Sequence, residues 1–97
     1  LELGGKSANI VFADADLERA AASAPGSVFD NAGQDCCARS RLLVERSVYD
    51  RFLELLEPAV QAWRVGDPAS PDTDMGPLIS ASHRDTVAGF LDGADVA

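Results

Sequence analysis

Four side chains in this sequence have the chemistry to act on a substrate together. Cys36 and Cys37 stand side by side in Asn31-Ala32-Gly33-Gln34-Asp35-Cys36-Cys37, His83 is the one histidine, and Glu2 precedes Gly4-Gly5. A thiolate is a strong nucleophile, and an ordinary thiol is already a few per cent ionised at neutral pH, so a cysteine needs only a modest push from a base. The bases on offer are His83 and Glu2. Other uses of adjacent thiols fit less well. Neighbouring Cα atoms lie about 3.8 Å apart across a trans peptide, short of the roughly 4.4–6.8 Å that disulfides span, so a Cys36–Cys37 bridge is strained. Zinc takes three or four ligands, and without a CxxC spacing and with His83 as the further partner the chain does not supply them; no metal site is expected. Two readings stay open on the residues alone: a buried pair of small hydrophobes, which unpaired cysteines often are, and a reactive thiol beside a bystander.

The surrounding pattern must position these groups. Ala8-Asn9-Ile10-Val11-Phe12 is a short apolar run that suits a buried strand, with Asp14 expected as the N-cap of the next helix. From Leu17 to Asn31 apolar residues recur at helical spacing, and Pro25-Gly26 should kink or divide the helix, giving one bent helix or two short pieces. Arg41-Leu42-Leu43-Val44-Glu45 reads as a second buried strand. Ser47 and Asp50 form a capping-box pattern for a helix whose Tyr49, Phe52, Leu53, Leu56, Val60 and Trp63 share one face, read as core packing, with Pro58 inside. A Pro-punctuated loop spans Val65 to Ser80, and a last helix is expected around Ser82 to Leu91, with His83 on its surface. Strand, helix, strand, helix is the order of an α/β fold with parallel strands joined by a right-handed crossover helix. The Gly33–Cys36 stretch then falls between a helix and a strand, at the edge of a parallel sheet where α/β proteins place their crevices. Gly4 and Gly5 allow a ligand or another backbone to come close.

Composition narrows the class of function. The 97 residues carry 8 Lys and Arg against 16 Asp and Glu, a formal charge of −8, and 46% of them are hydrophobic. That length supports one modest core. The acidic balance argues against a nucleic-acid or anionic-membrane surface, since phosphates are neutralised by an excess of Lys and Arg. No apolar window has the roughly 18 residues of a spanning helix. A soluble cytosolic protein whose partners are small molecules or other proteins is expected. The ends, Leu1 without an initiator Met and Asp95-Val96-Ala97, read as those of a piece of a longer polypeptide.

Both candidate stretches resemble the aldehyde dehydrogenase superfamily. Leu1-Glu2-Leu3-Gly4-Gly5-Lys6-Ser7-Ala8 is similar to its glutamate signature, and Phe29-Asp30-Asn31-Ala32-Gly33-Gln34-Asp35-Cys36-Cys37-Ala38-Arg39-Ser40 to its cysteine signature. The likeness continues through Asn9–Leu17, Val65-Gly66-Asp67-Pro68 and Met75-Gly76-Pro77-Leu78-Ile79. It implies that residues 1–97 are a partial catalytic domain, with the dinucleotide-binding domain largely absent from this chain. It also implies oxidation of a small-molecule aldehyde to a carboxylic acid with NAD or NADP. Cys36 would be the nucleophile, passing through a thiohemiacetal and a thioester, and Cys37 its non-catalytic neighbour. Glu2 would activate the hydrolytic water, the Leu3 backbone would touch the nicotinamide amide, and the Cys36 N–H would stabilise the oxyanion. The family's dimers and tetramers imply a homo-oligomer, and these 97 residues alone are expected to be inactive. Asp35 departs from the apolar or Cys residue common between Gln and Cys; turned inward, its carboxylate would raise a thiol pKa, and it is expected to point outward. Two other classes compete: a thiol hydrolase or amidotransferase pairing Cys36 with His83, and a non-catalytic α/β fragment.

Overall fold

The structure is a computed structural model that describes Leu1 and residues 3–94. Two four-residue strands, β1 (Ala8–Val11) and β2 (Arg41–Val44), pair in parallel, with Ala8 opposite Arg41 and Val11 opposite Val44. Between them run α1 (Leu17–Ser23) and the short α2 (Gly26–Phe29). After β2 come α3 (Tyr49–Gln61) and α4 (Ala81–Gly89). The α/β class and the parallel pairing are as expected.

Side chains of a strand alternate between faces. Asn9, Val11, Leu42 and Val44 turn one way, and Val11 meets Ala21 of α1 and Phe52 of α3 in the core. Val11 is 2%, Ala21 1% and Phe52 0% exposed, with Leu17, Leu42, Val44, Leu55 and Leu56 packed around them. The other face carries Ile10 and Leu43, 57% and 49% exposed. Among the described residues Phe52 is the one large side chain fully enclosed by this core. Phe52→Ala is therefore expected to destabilise the fold by about 3–5 kcal/mol, seen as a lowered midpoint in chemical denaturation. An unchanged midpoint would mean that the core is organised elsewhere.

Of the two expected outcomes at Pro25, a bend or a break, the structure shows the break. Pro25 has no N–H to give the Ala21 carbonyl, so α1 stops, and the Ser27 hydroxyl donates to the carbonyl of the buried Ala24 at 2.7 Å. Pro58 by contrast sits inside α3 without ending it. Four expectations are corrected. The N-cap of α1 is Asp16, whose carboxylate accepts from the Arg19 N–H at 3.0 Å, because a turn closed by Ala15 N–H to Phe12 carbonyl delays the helix past Asp14. Ser47 caps nothing. It lies in a 3-10 turn at Arg46–Val48 and donates to the Glu45 carboxylate at 2.6 Å, leaving Val48 at the N-cap of α3. The apolar stripe of α3 is only partly core: Tyr49, Leu53 and Val60 are exposed, Leu55 and Leu56 pack inward, and Trp63 lies beyond the helix against Phe29, ring centroids 6.2 Å apart. Finally, α4 begins at Ala81, with the Ser80 hydroxyl accepting from the His83 N–H at 3.1 Å.

The loop after α3 is pinned rather than loose. Asp74 accepts from the Arg64 N–H at 2.9 Å, which holds its carboxyl below the ordinary aspartate range, and Val65 and Met75 form a parallel bridge. No helix among the described residues is long and apolar enough to cross a membrane.

Candidate active site

The two chemistry-bearing stretches meet at the leading edge of the sheet. Gly4, Gly5 and Lys6 run into β1, and Gly33 to Cys36 precede β2; together they wall an open cleft of about 350 Å³. The strand register brings them there. The Arg41 N–H donates to the Ser7 carbonyl at 3.3 Å and the Arg41 guanidinium to the Lys6 carbonyl at 2.8 Å, tying the first segment to the start of β2. Gly5 is where the segments touch: a Cβ built there would fall on the carbonyl oxygen of Cys36 and 3.2 Å from its carbon. Only glycine permits that approach. Gly4 is a glycine for another reason, its φ of +72°, which side chains disfavour.

The loop that carries Cys36 is held in an uncommon conformation. Asn31, Ala32 and Gly33 all have positive φ, at 53°, 57° and 74°. Such left-handed residues outside glycine cluster at functional sites when their surroundings hold them there. Here Asn31 and Gln34 bracket the turn reciprocally. The Asn31 amide donates to the Gln34 carbonyl at 2.9 Å, and the Gln34 backbone and side-chain N–H groups both donate to the Asn31 carbonyl at 3.2 Å. A second turn comes next, closed by Ala38 N–H to Asp35 carbonyl at 3.1 Å, with Cys36 and Cys37 at its two central positions. Both thiols are exposed and neither is bridged. Within this unit the two thiols are not a buried pair. No acceptor among the described residues takes the Cys36 N–H, which leaves it available to a developing oxyanion.

Asp35 is exposed, but its carboxylate does not turn away from the thiols as expected. It accepts from the Cys37 N–H at 3.1 Å and from the Cys37 thiol at 3.2 Å. These bonds, with a smaller contribution from the Cys36 thiol, hold the Asp35 carboxyl below the ordinary aspartate range. The same carboxylate, through its hydrogen bond and then its charge, pushes the Cys37 thiol up, and Cys36 adds to the push. Asp35, Cys36 and Cys37 also bring three donor atoms within 4.8 Å of one another. The expectation of no metal site rests on cysteines and histidine alone and leaves out this carboxylate. The set is still one ligand short of a closed zinc site.

Of the remaining candidates, Leu3 and His83 do not line the cleft. Leu3 adjoins it in sequence but is 84% exposed and does not line it. Glu2 lies outside the described residues. His83 is half-buried on the first turn of α4, and no bond between it and Cys36 occurs among the described residues.

A parallel α/β unit presenting an exposed cysteine over a glycine-floored cleft defines a thiol-bearing α/β fold, and comparison with known proteins makes it specific. The sequence profile of the aldehyde dehydrogenase family matches residues 1–96, and the chain belongs to that family. It is 51% identical over 92 residues to the NADP/NAD-dependent aldehyde dehydrogenase PuuC of Escherichia coli, which covers 94% of this chain and 19% of that protein. The aldehyde dehydrogenase KauB of Pseudomonas aeruginosa superposes with a TM-score of 0.88 at 48% identity, over 95% of this chain and 19% of that one. An indole-3-acetaldehyde dehydrogenase in complex with NAD+ does so with the same TM-score, identity and coverage. The chain thus spans about a fifth of the length of the relatives it matches.

Proposed function

We propose that these residues form part of the catalytic domain of an NAD- or NADP-dependent aldehyde dehydrogenase, with Cys36 as nucleophile. The observation that carries this reading is the single cleft in which Gly4-Gly5 and Gln34-Asp35-Cys36 face each other, in a chain of that family. The exposed Ile10 and Leu43 on the uncovered sheet face support a larger domain around this unit. PuuC is named for NADP and NAD, and the indole-3-acetaldehyde enzyme was solved with NAD+, which supports the choice of cofactor.

The residues present fit a nicotinamide end. Gly4 and Gly5 leave the cleft floor without side chains beside Cys36, so these residues would hold the nicotinamide end, and the family resemblance adds the Leu3 backbone as a contact to its amide. NAD or NADP, when bound, supplies the acceptor for the hydride that leaves the aldehyde carbon. This chain's own groups do the rest. The Cys36 sulfur, its thiol proton released to water, attacks the carbonyl carbon as the thiolate and forms a tetrahedral thiohemiacetal, whose anionic oxygen accepts a hydrogen bond from the Cys36 N–H. Loss of hydride leaves a thioester. Glu2 removes a proton from water as it adds to the thioester carbon, and the acid departs as Cys36 regains its thiol.

Replacing Glu2 with Gln in the full-length enzyme tests the assignment of the base. The expected result is a burst of NADH close to one per active site and then a stall, because the thioester forms but hydrolyses slowly. Stopped-flow absorbance reads it directly, and steady turnover at the wild-type rate would remove Glu2 from the mechanism.

A further inference from the structure

Two identical side chains sit next to each other, yet the structure gives them different surroundings. Cys36 lines the cleft of about 350 Å³ with Gly4, Gly5 and Lys6. Cys37 opens instead into a separate hollow of about 470 Å³, shared with Ser7, Gly26, Asp30 and Arg39. Asp35 is common to both walls and binds the Cys37 N–H and thiol together. From this geometry we infer that Asp35 is a positioning residue that separates the roles of the two thiols, tying Cys37 down as a neutral hydrogen-bond donor while Cys36 serves the cleft. The inference rests on the assignment of Cys36 as nucleophile.

The Asp35 carboxylate is acceptor-only when ionised, so it favours the protonated, donating form of the thiol in front of it. Being anionic, it also opposes a second negative charge at 3.2 Å. The charged groups that share the hollow are Asp30, of the same sign, and Arg39, of the opposite sign, while Lys6 lies on the Cys36 side. Arg39 works against Asp35, and its side chain makes no ion pair among the described residues. The direction for Cys37 is upward, with Asp35 the leading cause. A Cys37 held as a thiol does not compete for the aldehyde and does not attack a modified Cys36.

The test is alkylation of the full-length enzyme with iodoacetamide as a function of pH, with the site of labelling read from peptide fragmentation between the two cysteines. In the wild type Cys36 is expected to label first, and in a Cys36→Ala protein with Asp35 intact Cys37 is expected to label only at pH above that of an ordinary thiol. Asp35→Asn keeps the acceptor shape and removes the charge; it should raise Cys37 labelling near pH 8 about fivefold and move its pH midpoint down. An unchanged Cys37 profile in Asp35→Asn overturns the inference. If that variant does not fold, an ordinary midpoint for Cys37 in Cys36→Ala overturns it equally. Failure of the aldehyde dehydrogenase reading looks different, since it appears as aldehyde oxidation surviving Cys36→Ala, whatever the labelling ratio.

Discussion

Cys36→Ala in the full-length enzyme is expected to lower aldehyde oxidation by several orders of magnitude, while Cys37→Ala keeps most of it. The two residues are neighbours with the same functional group and the same exposure class, so the contrast depends on placement alone. Cys36 faces the cleft that Gly4 and Gly5 floor, and Cys37 faces a different hollow. Removing the nucleophile of a covalent mechanism leaves only binding and oxyanion stabilisation, which by themselves account for a small part of the rate. Initial-rate measurement of NADH formation with a saturating aldehyde decides it. Equal losses in both variants would mean that the thiols act as a pair and that the separation drawn from the two hollows is wrong.

Gly5→Ala is expected to be the most damaging substitution that touches no reacting group. The added methyl would fall on the Cys36 carbonyl, and backbone cannot swing aside as a flexible side chain would. Either the Gly4–Lys6 segment lifts from the Gln34–Cys36 turn or the turn itself shifts, and both move the sulfur relative to the cleft floor. A displacement of about 1 Å at a reacting centre costs on the order of a hundredfold in rate. The overpacking also lowers stability by about 1–3 kcal/mol. Gly4→Ala supplies the contrast. A Cβ at Gly4 meets nothing within 4 Å, so the cost there is the strain of positive φ, about 1–2 kcal/mol, without displacement of Cys36. Measuring kcat/KM and denaturation midpoints for both variants separates the effects. Wild-type kcat/KM in Gly5→Ala would show that the two segments do not need their close approach.

What could be read from the residues depended on how local the cause was. The break between α1 and α2 comes from the missing N–H of Pro25, a property of one residue, and it was legible. Both strands were legible as apolar runs and fell within a residue of their expected ends. The caps were not, because Asp14 and Asp16 are equally good capping residues and only the turn at Phe12–Ala15 decides which one meets the helix. Ser47 shows the same competition: Glu45 offers a nearer acceptor, itself held by Ser47 and by the Ala13 N–H at 2.9 Å below the ordinary glutamate range. The α3 stripe was partly misread since periodicity gives a face, whereas the angle at which α3 meets Val11 and Ala21 keeps Phe52 and Leu56 from it and adds Leu55, which the stripe left out.

By itself the sequence determined the chemistry available: which side chains can be nucleophile or base, the absence of spaced cysteine and histidine ligands, and a pair of signatures resembling one enzyme family. Only the tertiary structure decided which groups face each other. Pairing β1 with β2 in register brings Gly5 against the Cys36 carbonyl across the whole intervening crossover, and the turn after Gly33 points two adjacent thiols into separate hollows with Asp35 on their shared wall. Residue types state what a group can do, but proximity between distant segments is set by strand register and turn geometry, which are properties of the folded chain as a whole.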